Sequence, residues 1–248
     1  MQPKTLVMTR RPSARPNINT TPISIDNYFK VAISVDCVIF GFDEGVLKVL
    51  LIKCNFNEFR GQWSLLGDLV RPDEDMDEAS YRILRERTGL DDVYLEQVHT
   101  FGSLNRHPSG RVITTAYYSL VNIQHHKLAL SDNELHWHPF DEIKCLAFDH
   151  MDILNTCYAR LQQKVLREPV VFNLLPPKFS LRELQSLYEA ILGVELDRRN
   201  FRKKFFQMGF LTDTGQMEDD VPHRPGKLYR FNYKKYTKQS KKPLDINF

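Results

Sequence analysis

Residues 82–90 of this 248-residue chain read Arg-Ile-Leu-Arg-Glu-Arg-Thr-Gly-Leu, and the residues before them favour a helix. Asp75 with Glu78 three positions later has the pattern of a capping box, in which each side chain accepts the other residue's backbone N–H. Gly89 is the residue type that ends helices in the left-handed conformation. We therefore predict a helix that begins after Asp75, continues to about Thr88 and carries mixed charges in its last turns.

The sequence on both sides of this helix predicts strands, because apolar and β-branched residues form short runs bounded by turn residues. Asp149 can cap a further helix that continues to about Val165. Strands that flank helices in this order predict an α/β sandwich with a mixed sheet. The predicted strands are residues 31–42, 46–53, 93–104, 111–121 and 136–139.

Read together with the residues before it, the helix resembles a Nudix box. The family pattern is Gly, five residues, Glu, seven residues, then Arg-Glu-apolar-x-Glu-Glu-x-Gly-apolar. Asp68 stands where the pattern begins with Gly, and Ile83 and Arg87 stand where it has two helix glutamates. The resemblance covers about residues 30–160 and implies a Nudix-like α/β/α sandwich. The matching residues are Glu74, Arg82, Leu84, Glu86, Gly89 and Leu90.

A Nudix hydrolase cleaves a diphosphate bond with divalent cations held by carboxylates of this helix, and here the carboxylates are incomplete. Hard cations such as Mg²⁺ need several oxygen ligands. Only Glu74 and Glu86 remain as remnant carboxylates, and Arg87 would repel a dication. We therefore expect a protein that is not an enzyme, with no catalytic residues, no metal site and no cofactor.

Three alternatives remain open. The helix could be an ordinary amphipathic helix whose apolar residues only pack against a core. The chain could also be a Nudix hydrolase of ADP-ribose or another nucleoside diphosphate, with an accessory nucleic-acid-binding domain. In a third reading the basic end of the chain binds RNA. The residues that would face the core are Met76, Ala79, Ile83 and Leu84.

A second stretch, residues 101–112 followed by Tyr117-Tyr118, is similar to Nudix-related transcription regulators. In that group the Nudix domain binds an effector and a C-terminal winged helix binds DNA; some members respond to ADP-ribose, others to arabinose or related sugars. A sugar site needs an aromatic platform and several polar groups. Because few cations surround these positions, we expect a pentose such as arabinose or a related sugar. The expected effector-binding residues are Trp63, Phe101, Asn105, Arg106 and Tyr117.

Charge is unevenly distributed along the chain. The overall net charge is +3, but residues 1–30 carry +4, residues 31–169 carry −7 and residues 170–248 carry +6. An acidic middle and a basic end predict two modules with different partners, the basic one binding a polyanion. We expect a tail over 1–28, a Nudix-like effector-binding domain over 29–166 and a winged-helix DNA-binding domain over 167–248.

The basic module has the order of a winged helix-turn-helix. Ser180 and Asp197 can each cap a helix, and the second helix has a stripe of Phe201, Phe205 and Met208 at helical spacing. A polar segment over Thr212–Pro222 precedes a strand at 227–231. Arginine can read guanine and asparagine can read adenine in the major groove. The expected DNA-binding residues are Arg198, Arg199, Asn200, Arg202 and Lys203 of the helix and Arg224 and Lys227 of the wing.

These features together predict a cytoplasmic transcription regulator controlled by a small-molecule effector. A homodimer with two-fold symmetry would read a palindromic operator in double-stranded DNA. No run of about 18 apolar residues occurs, so we expect no membrane partner. The four cysteines have no paired spacing that indicates a zinc site or a disulfide framework.

Overall fold

The structure, a computed structural model, describes residues 30–91, 93–124, 135–219 and 224–239, together with Leu244 and Ile246. The predicted tail over 1–28 lies outside the described residues. Residues 31–248 form one compact unit. Its strands are β1 (Ala32–Asp43), β2 (Val46–Lys53), β3 (Trp63–Ser64), β4 (Leu66–Leu69), β5 (Tyr94–Phe101), β6 (Val112–Asn122), β7 (Leu135–Pro139), β8 (Phe179–Ser180), β9 (Leu211–Met217) and β10 (Lys227–Phe231). Its helices are α1 (Met76–Thr88), α2 (His150–Val165), α3 (Leu181–Leu192), α4 (Arg198–Met208) and α5 (Tyr233–Gln239).

The strand β1 lies at the centre of a seven-stranded mixed sheet. It pairs antiparallel with β2 and β4, and parallel with β6 from Ala32↔Val112 to Phe42↔Asn122. The sheet order is β3-β2-β1-β6-β5, with β4 beside β1 and β7 beside β2. A strand that is covered on both faces has a nearly continuous apolar sequence, as β1 does.

The two faces of the sheet bury different side chains, because successive residues of a strand point to opposite faces. Val35 and Cys37 of β1 pack in one core with Ile83 of α1. Val38 and Phe40 pack in the other core, which α2 covers. This α/β sandwich with a mixed sheet confirms the predicted fold class.

The helix α1 has the predicted caps. Asp75 accepts the backbone N–H of Glu78 at 2.9 Å, and Glu78 accepts that of Asp75 at 2.8 Å. Gly89 ends the helix with φ 70, a conformation that glycine adopts without steric cost. The face that was predicted to pack against a core does so: Ala79, Ile83 and Leu84 are buried and Met76 is partly buried beside them.

The C-terminal part of the chain is a winged helix. Strands β8, β9 and β10 form a three-stranded sheet in the order β8-β10-β9, and Ser180 and Asp197 cap α3 and α4 as predicted. Tyr188 of α3 packs edge-on against Phe201 and Phe205 of α4.

The longest helix among the described residues, α2, has 16 residues. No helix in this part of the chain is long and apolar enough to cross a membrane.

The segment predicted to be polar, Thr212–Pro222, contributes a strand in its first half. Residues 211–217 form β9, which pairs with β10 from Leu211↔Phe231 to Met217↔Lys227. Most of its side chains are exposed, so the alternation of buried and exposed residues that indicates a strand is missing. Residues 220–222 of that segment lie outside the described part of the chain.

The segment 174–177, shortly before β8, packs against the rest of the chain. Leu174 and Leu175 are buried in the core that α2 covers, and the Asn122 side chain donates to the Leu174 carbonyl at 3.0 Å. Three side-chain hydrogen bonds join α2 to α3. Tyr158 Oη and Gln162 Nε2 both donate to the Ile191 carbonyl, at 2.7 and 3.0 Å, and Tyr188 Oη donates to the Val165 carbonyl at 3.1 Å.

Candidate ligand cleft and nucleic-acid interface

A cleft of about 530 Å³ opens where β1 begins, beside β3 and β4. The loop 102–111, the last turn of α1 and the residues just before α2 complete its walls. The end of β2 and the residues after it also contribute, so six separate segments of the chain supply the lining. Clefts of roughly 300–1,000 Å³ suit ligands of nucleotide or drug size.

Asp36 lies in the floor of the cleft inside a buried polar network. Its carboxylate accepts a hydrogen bond from the Thr114 hydroxyl at 2.7 Å and lies 3.5 Å from the Arg106 guanidinium. Arg106 in turn makes a two-point ion pair with Asp149, with both N···O distances at 2.8 Å. The pair joins the loop 102–111 to the residue that precedes α2, and such bidentate geometry fixes orientation.

Gly67 packs directly against this network. A Cβ atom at residue 67 would lie 2.1 Å from Asp36 Oδ1 and 2.9 Å from the Val35 carbonyl oxygen. Real Cβ atoms do not approach other atoms so closely, so only glycine lets β4 lie this near the carboxylate. The strand β4 and the cleft floor are therefore built as one unit.

His150 connects the network to the start of α2. Its Nδ1 accepts the backbone N–H of Leu65 at 3.1 Å, so the ring proton of the neutral form lies on Nε2, which is 3.6 Å from the Asp36 carboxylate. Burial lowers the pKa of His150, although Asp36 acts in the other direction. At neutral pH the ring is therefore uncharged and positions the Asp36 carboxylate by a polar contact.

Aromatic rings line one end of the cleft. His107 stacks on Phe148 with the ring centroids 5.0 Å apart and the planes 9° from parallel, and Phe56 packs edge-on against His107. Burial and the neighbouring Arg106 lower the pKa of His107, which favours the neutral ring. Phe148 has φ 55, a conformation that is a genuine outlier for a bulky residue and marks sites held in place by their surroundings.

Cations line the rest of the cleft. Lys53, Arg87, Arg106 and Arg111 face two carboxylates, those of Asp36 and Asp68. Arg111 donates to the carbonyls of residues 102 and 103 at 2.6 and 3.0 Å, which leaves its charge without a carboxylate partner among the described residues. The expectation of few cations around the pocket is therefore wrong, because Lys53 and Arg87 are distant in sequence from the 101–117 stretch that suggested it.

The remnant carboxylates of the box contact arginine side chains. Glu74 binds Arg82 with both oxygens, at 2.7 and 2.8 Å, and this contact holds the pKa of Glu74 at about 2. Glu86 lies 3.3 Å from Arg82 and from Arg71, and Asp68 lies 3.2 Å from Arg82. Among the described residues no group of three or more His, Cys, Asp and Glu side chains could hold a metal ion.

The five residues predicted to bind the effector are not brought together. Only Arg106 lines the cleft, and it does so as a buried residue paired with Asp149. Tyr117 packs on the α1 face of the sheet and donates to Asp77 at 2.7 Å. Trp63 is half-buried with the Lys53 ammonium 3.6 Å from its ring centre. Phe101 is half-buried at the end of β5, and Asn105 is exposed.

The second candidate surface is the outer face of α4. Phe201 and Phe205 are buried and Met208 is half-buried, which confirms the predicted stripe and turns the cations outward. The residues Arg198, Arg199, Asn200, Arg202 and Lys203 are all exposed. In the described part of the chain none of the four cations forms an ion pair.

The wing adds to this surface, with one difference from the prediction. Lys227 is paired with Asp213 at 2.9 Å, so part of its charge is compensated; Arg224 is exposed. Sequence reasoning missed Arg182, the second residue of α3. It lines a basin of about 120 Å³ together with Arg198, Arg202 and Lys227. The pattern at the start of α3 indicated a helix cap at Ser180. No local pattern indicated that Arg182 binds a ligand.

Comparison with known families accounts for both surfaces. Residues 30–160 match the NUDIX domain, and residues 171–231 match the NrtR DNA-binding winged helix domain. The chain belongs to the NrtR family. This finding confirms the resemblance to Nudix-related transcription regulators that the sequence motifs indicated.

Three relatives of the NrtR-family chain are informative. It is 35% identical over 215 residues to the ADPR responsive transcriptional repressor NtrR of Acinetobacter baylyi, covering 85% of this chain and 86% of that protein. The crystal structure of Shewanella oneidensis NrtR complexed with a 27mer DNA has a TM-score of 0.71 and 32% identity, covering 80% of this chain and 93% of that one. An ADP-ribose pyrophosphatase of Methanocaldococcus jannaschii is 31% identical over 129 residues, covering 51% of this chain and 73% of that protein.

Proposed function

We propose that this protein is a DNA-binding transcriptional repressor whose affinity for DNA is controlled by ADP-ribose bound in the cleft of its Nudix domain. The observation that carries the proposal is the cleft lining of four cations against two carboxylates beside a set of aromatic rings. A diphosphate matches the excess positive charge, and an adenine ring matches an aromatic platform. The name of the Acinetobacter baylyi relative, which is ADPR responsive, agrees with this chemistry.

ADP-ribose replaces the pentose of our sequence-based expectation. A neutral sugar would leave the charges of Arg87 and Arg111 uncompensated and would fill only a small part of a 530 Å³ cleft. We assign the diphosphate to the cation wall of the cleft, which consists of Lys53, Arg87 and Arg111. We assign the adenine to the His107–Phe148 stack. The sugar in the cleft is then the ribose of ADP-ribose.

The DNA-binding half of the proposal rests on α4. Among the described residues its outward cations have no ion-pair partner, and the basin at Arg182 offers a position for a backbone phosphate. We keep the predicted organisation, an effector domain over 29–166 and a DNA-binding domain over 167–248, acting in the cytoplasm. Two copies related by two-fold symmetry would read a palindromic operator.

Control by a ligand requires that ADP-ribose bind one arrangement of the protein better than the other. The hydrogen bonds from Tyr158 and Tyr188 between α2 and α3 supply a physical connection. The helix α2 begins at His150, in the cleft floor, and ends at Val165, against α3. We expect ADP-ribose to weaken DNA binding, which corresponds to relief of repression.

The test is a gel shift with duplex fragments that tile the DNA upstream of the protein's own gene, repeated with ADP-ribose, AMP, ribose and arabinose. We expect retardation of one fragment, released by ADP-ribose and unaffected by the free sugars. Release by arabinose alone would restore the pentose hypothesis. Binding of structured RNA in preference to every duplex would contradict the repressor.

The second candidate function is hydrolysis of ADP-ribose, favoured by the match to the Methanocaldococcus jannaschii pyrophosphatase. Its signature would be conversion of ADP-ribose to AMP and ribose 5-phosphate with Mg²⁺ or Mn²⁺. Robust turnover in that assay would replace the sensor by an enzyme. Since Glu74, Glu86 and Asp68 all contact Arg82, we expect no turnover above the rate without protein.

A further inference from the structure

The cation wall of the cleft determines how a diphosphate can be bound there. The Nudix fold implies a divalent cation between the protein and the phosphates, and the residues present here do not fit one. We propose that the cleft binds the diphosphate of ADP-ribose without any metal ion, and that Arg87 supplies the positive charge directly. The inference rests on the proposed effector.

The carboxylates that could hold a cation are engaged elsewhere. Both oxygens of Glu74 bind Arg82, and one of them also accepts the backbone N–H of Arg71 at 2.9 Å. Glu86 and Asp68 each lie within 3.3 Å of the same Arg82 guanidinium. A magnesium ion would have to compete with that guanidinium for its oxygen ligands, and Arg82 is buried, with 6% of its side chain exposed.

The position of Ile83 closes the remaining route to a metal site. Its side chain is 1% exposed and packs in the core between α1 and the sheet. A carboxylate at residue 83 would be buried among apolar groups, so this helix face cannot supply a further ligand without rearranging the core. The residue at this glutamate position of the pattern, Ile83, is therefore part of the packing of the domain.

Arg87 has what a phosphate-binding residue needs. It is exposed, it lines the cleft, and within the described residues it makes no ion pair. A guanidinium presents parallel N–H groups that match two oxygens of a phosphate. Lys53 and Arg111 line the same cleft. The diphosphate therefore contacts cationic side chains instead of a metal ion, and the ligand is bound without being cleaved.

The experiment measures the Kd of ADP-ribose by calorimetry on the full-length protein, in EDTA and in Mg²⁺. We expect the two values to agree within about twofold. Arg87→Ala should raise the Kd at least about tenfold in EDTA, since hydrogen bonds to charged groups are the strong ones. Arg87→Lys should recover part of the loss. The matched control is Arg85→Ala, an exposed cation of the same helix that does not line the cleft.

The ligand series makes the assignment specific to phosphate. Adenosine lacks the diphosphate, so Arg87→Ala should leave its weaker binding unchanged. Melting temperatures of all variants show whether each is folded. A strict need for Mg²⁺, or an unchanged Kd in folded Arg87→Ala, would overturn the inference while leaving the effector intact. Failure of the wild-type protein to bind ADP-ribose under either condition would instead overturn the proposed function.

Discussion

The helices α1 and α4 are built alike and use their cations differently. Each begins at an aspartate whose side chain accepts a backbone N–H, and each ends at a glycine in the left-handed conformation. In α1 the guanidinium of Arg82 is buried and contacts three carboxylates. In α4 the cations point outward and, as far as the structure describes the chain, lack ion-pair partners.

The difference shows where charge stabilises the fold and where it remains available for a ligand. A buried guanidinium surrounded by carboxylates is part of the folded structure, because removing it strands the carboxylates. An exposed, unpaired cation contributes little to stability and can bind a polyanion. Arg87, five residues after Arg82 on the same helix, belongs to the second kind.

The largest effect is expected at Arg82. Arg82→Ala should lower the free energy of unfolding by roughly 2–4 kcal/mol, because three carboxylates lose their common partner. Urea unfolding monitored by circular dichroism measures the change, with Arg85→Ala as the exposed control. If the two variants were equally stable, the distinction between structural and available cations would fail for α1.

The converse holds for α4. Arg199→Ala combined with Lys203→Ala should weaken operator binding by about tenfold to a hundredfold and lower the slope of log Kd against log salt by about 2, while the melting temperature stays unchanged. Fluorescence anisotropy at several salt concentrations measures both quantities. Lys144→Ala removes a cation remote from α4 and should have no effect. Loss of stability in the double variant would place these cations in the same class as Arg82.

A smaller effect is expected where the two regions are joined. Tyr158→Phe removes one of the two side-chain hydrogen bonds to the Ile191 carbonyl, the other coming from Gln162, a change of about 1 kcal/mol. The expected result is a smaller ratio between the DNA Kd with and without ADP-ribose, at nearly unchanged affinity for each ligand alone. Tyr81→Phe, at an exposed tyrosine of α1, is the control. An unaltered ratio would show that coupling does not pass through this contact.

The smallest effect is expected from pH. Because burial lowers the pKa of His150, the unfolded chain binds a proton there more readily than the folded protein below about pH 6.5. The contribution of this site to stability is thus present above pH 6.5 and is lost as the pH falls through the folded pKa. His150→Asn, whose amide oxygen can accept the Leu65 N–H, should show a flatter melting temperature between pH 7.5 and 5.5. A pH profile identical to that of the wild type would contradict this assignment.

Much of the fold could be predicted from local patterns. The caps at Asp75, Ser180 and Asp197 and the stripe of Phe201 and Phe205 depend on residues within a few positions of one another, and the structure confirms them. The exposed strand β9 was not predicted, because it has no local pattern of alternating buried and exposed residues. It is held by hydrogen bonds to β10, which the sequence around it does not record.

The cleft could not be predicted in the same way. Arg106 meets Asp36 across 70 residues and Asp149 across 43, and no local spacing records such contacts. Tyr117 illustrates a second difficulty, because a shift of one position along a strand moves a side chain to the opposite face of the sheet. Its neighbours Ala116 and Tyr118 face the core that α2 covers, whereas Tyr117 faces α1. The left-handed backbone of Phe148 is likewise a product of its surroundings.

The parallel pairing of β1 with β6 has a consequence for folding kinetics. It joins residues 80 positions apart, from Ala32↔Val112 to Phe42↔Asn122, and the entire box and most of the cleft lie in the loop that this pairing closes. Contacts of such long range slow folding, because loop entropy is lost before the contacts form. During synthesis the ligand cleft can therefore be complete only after residue 150, which lines it, has emerged.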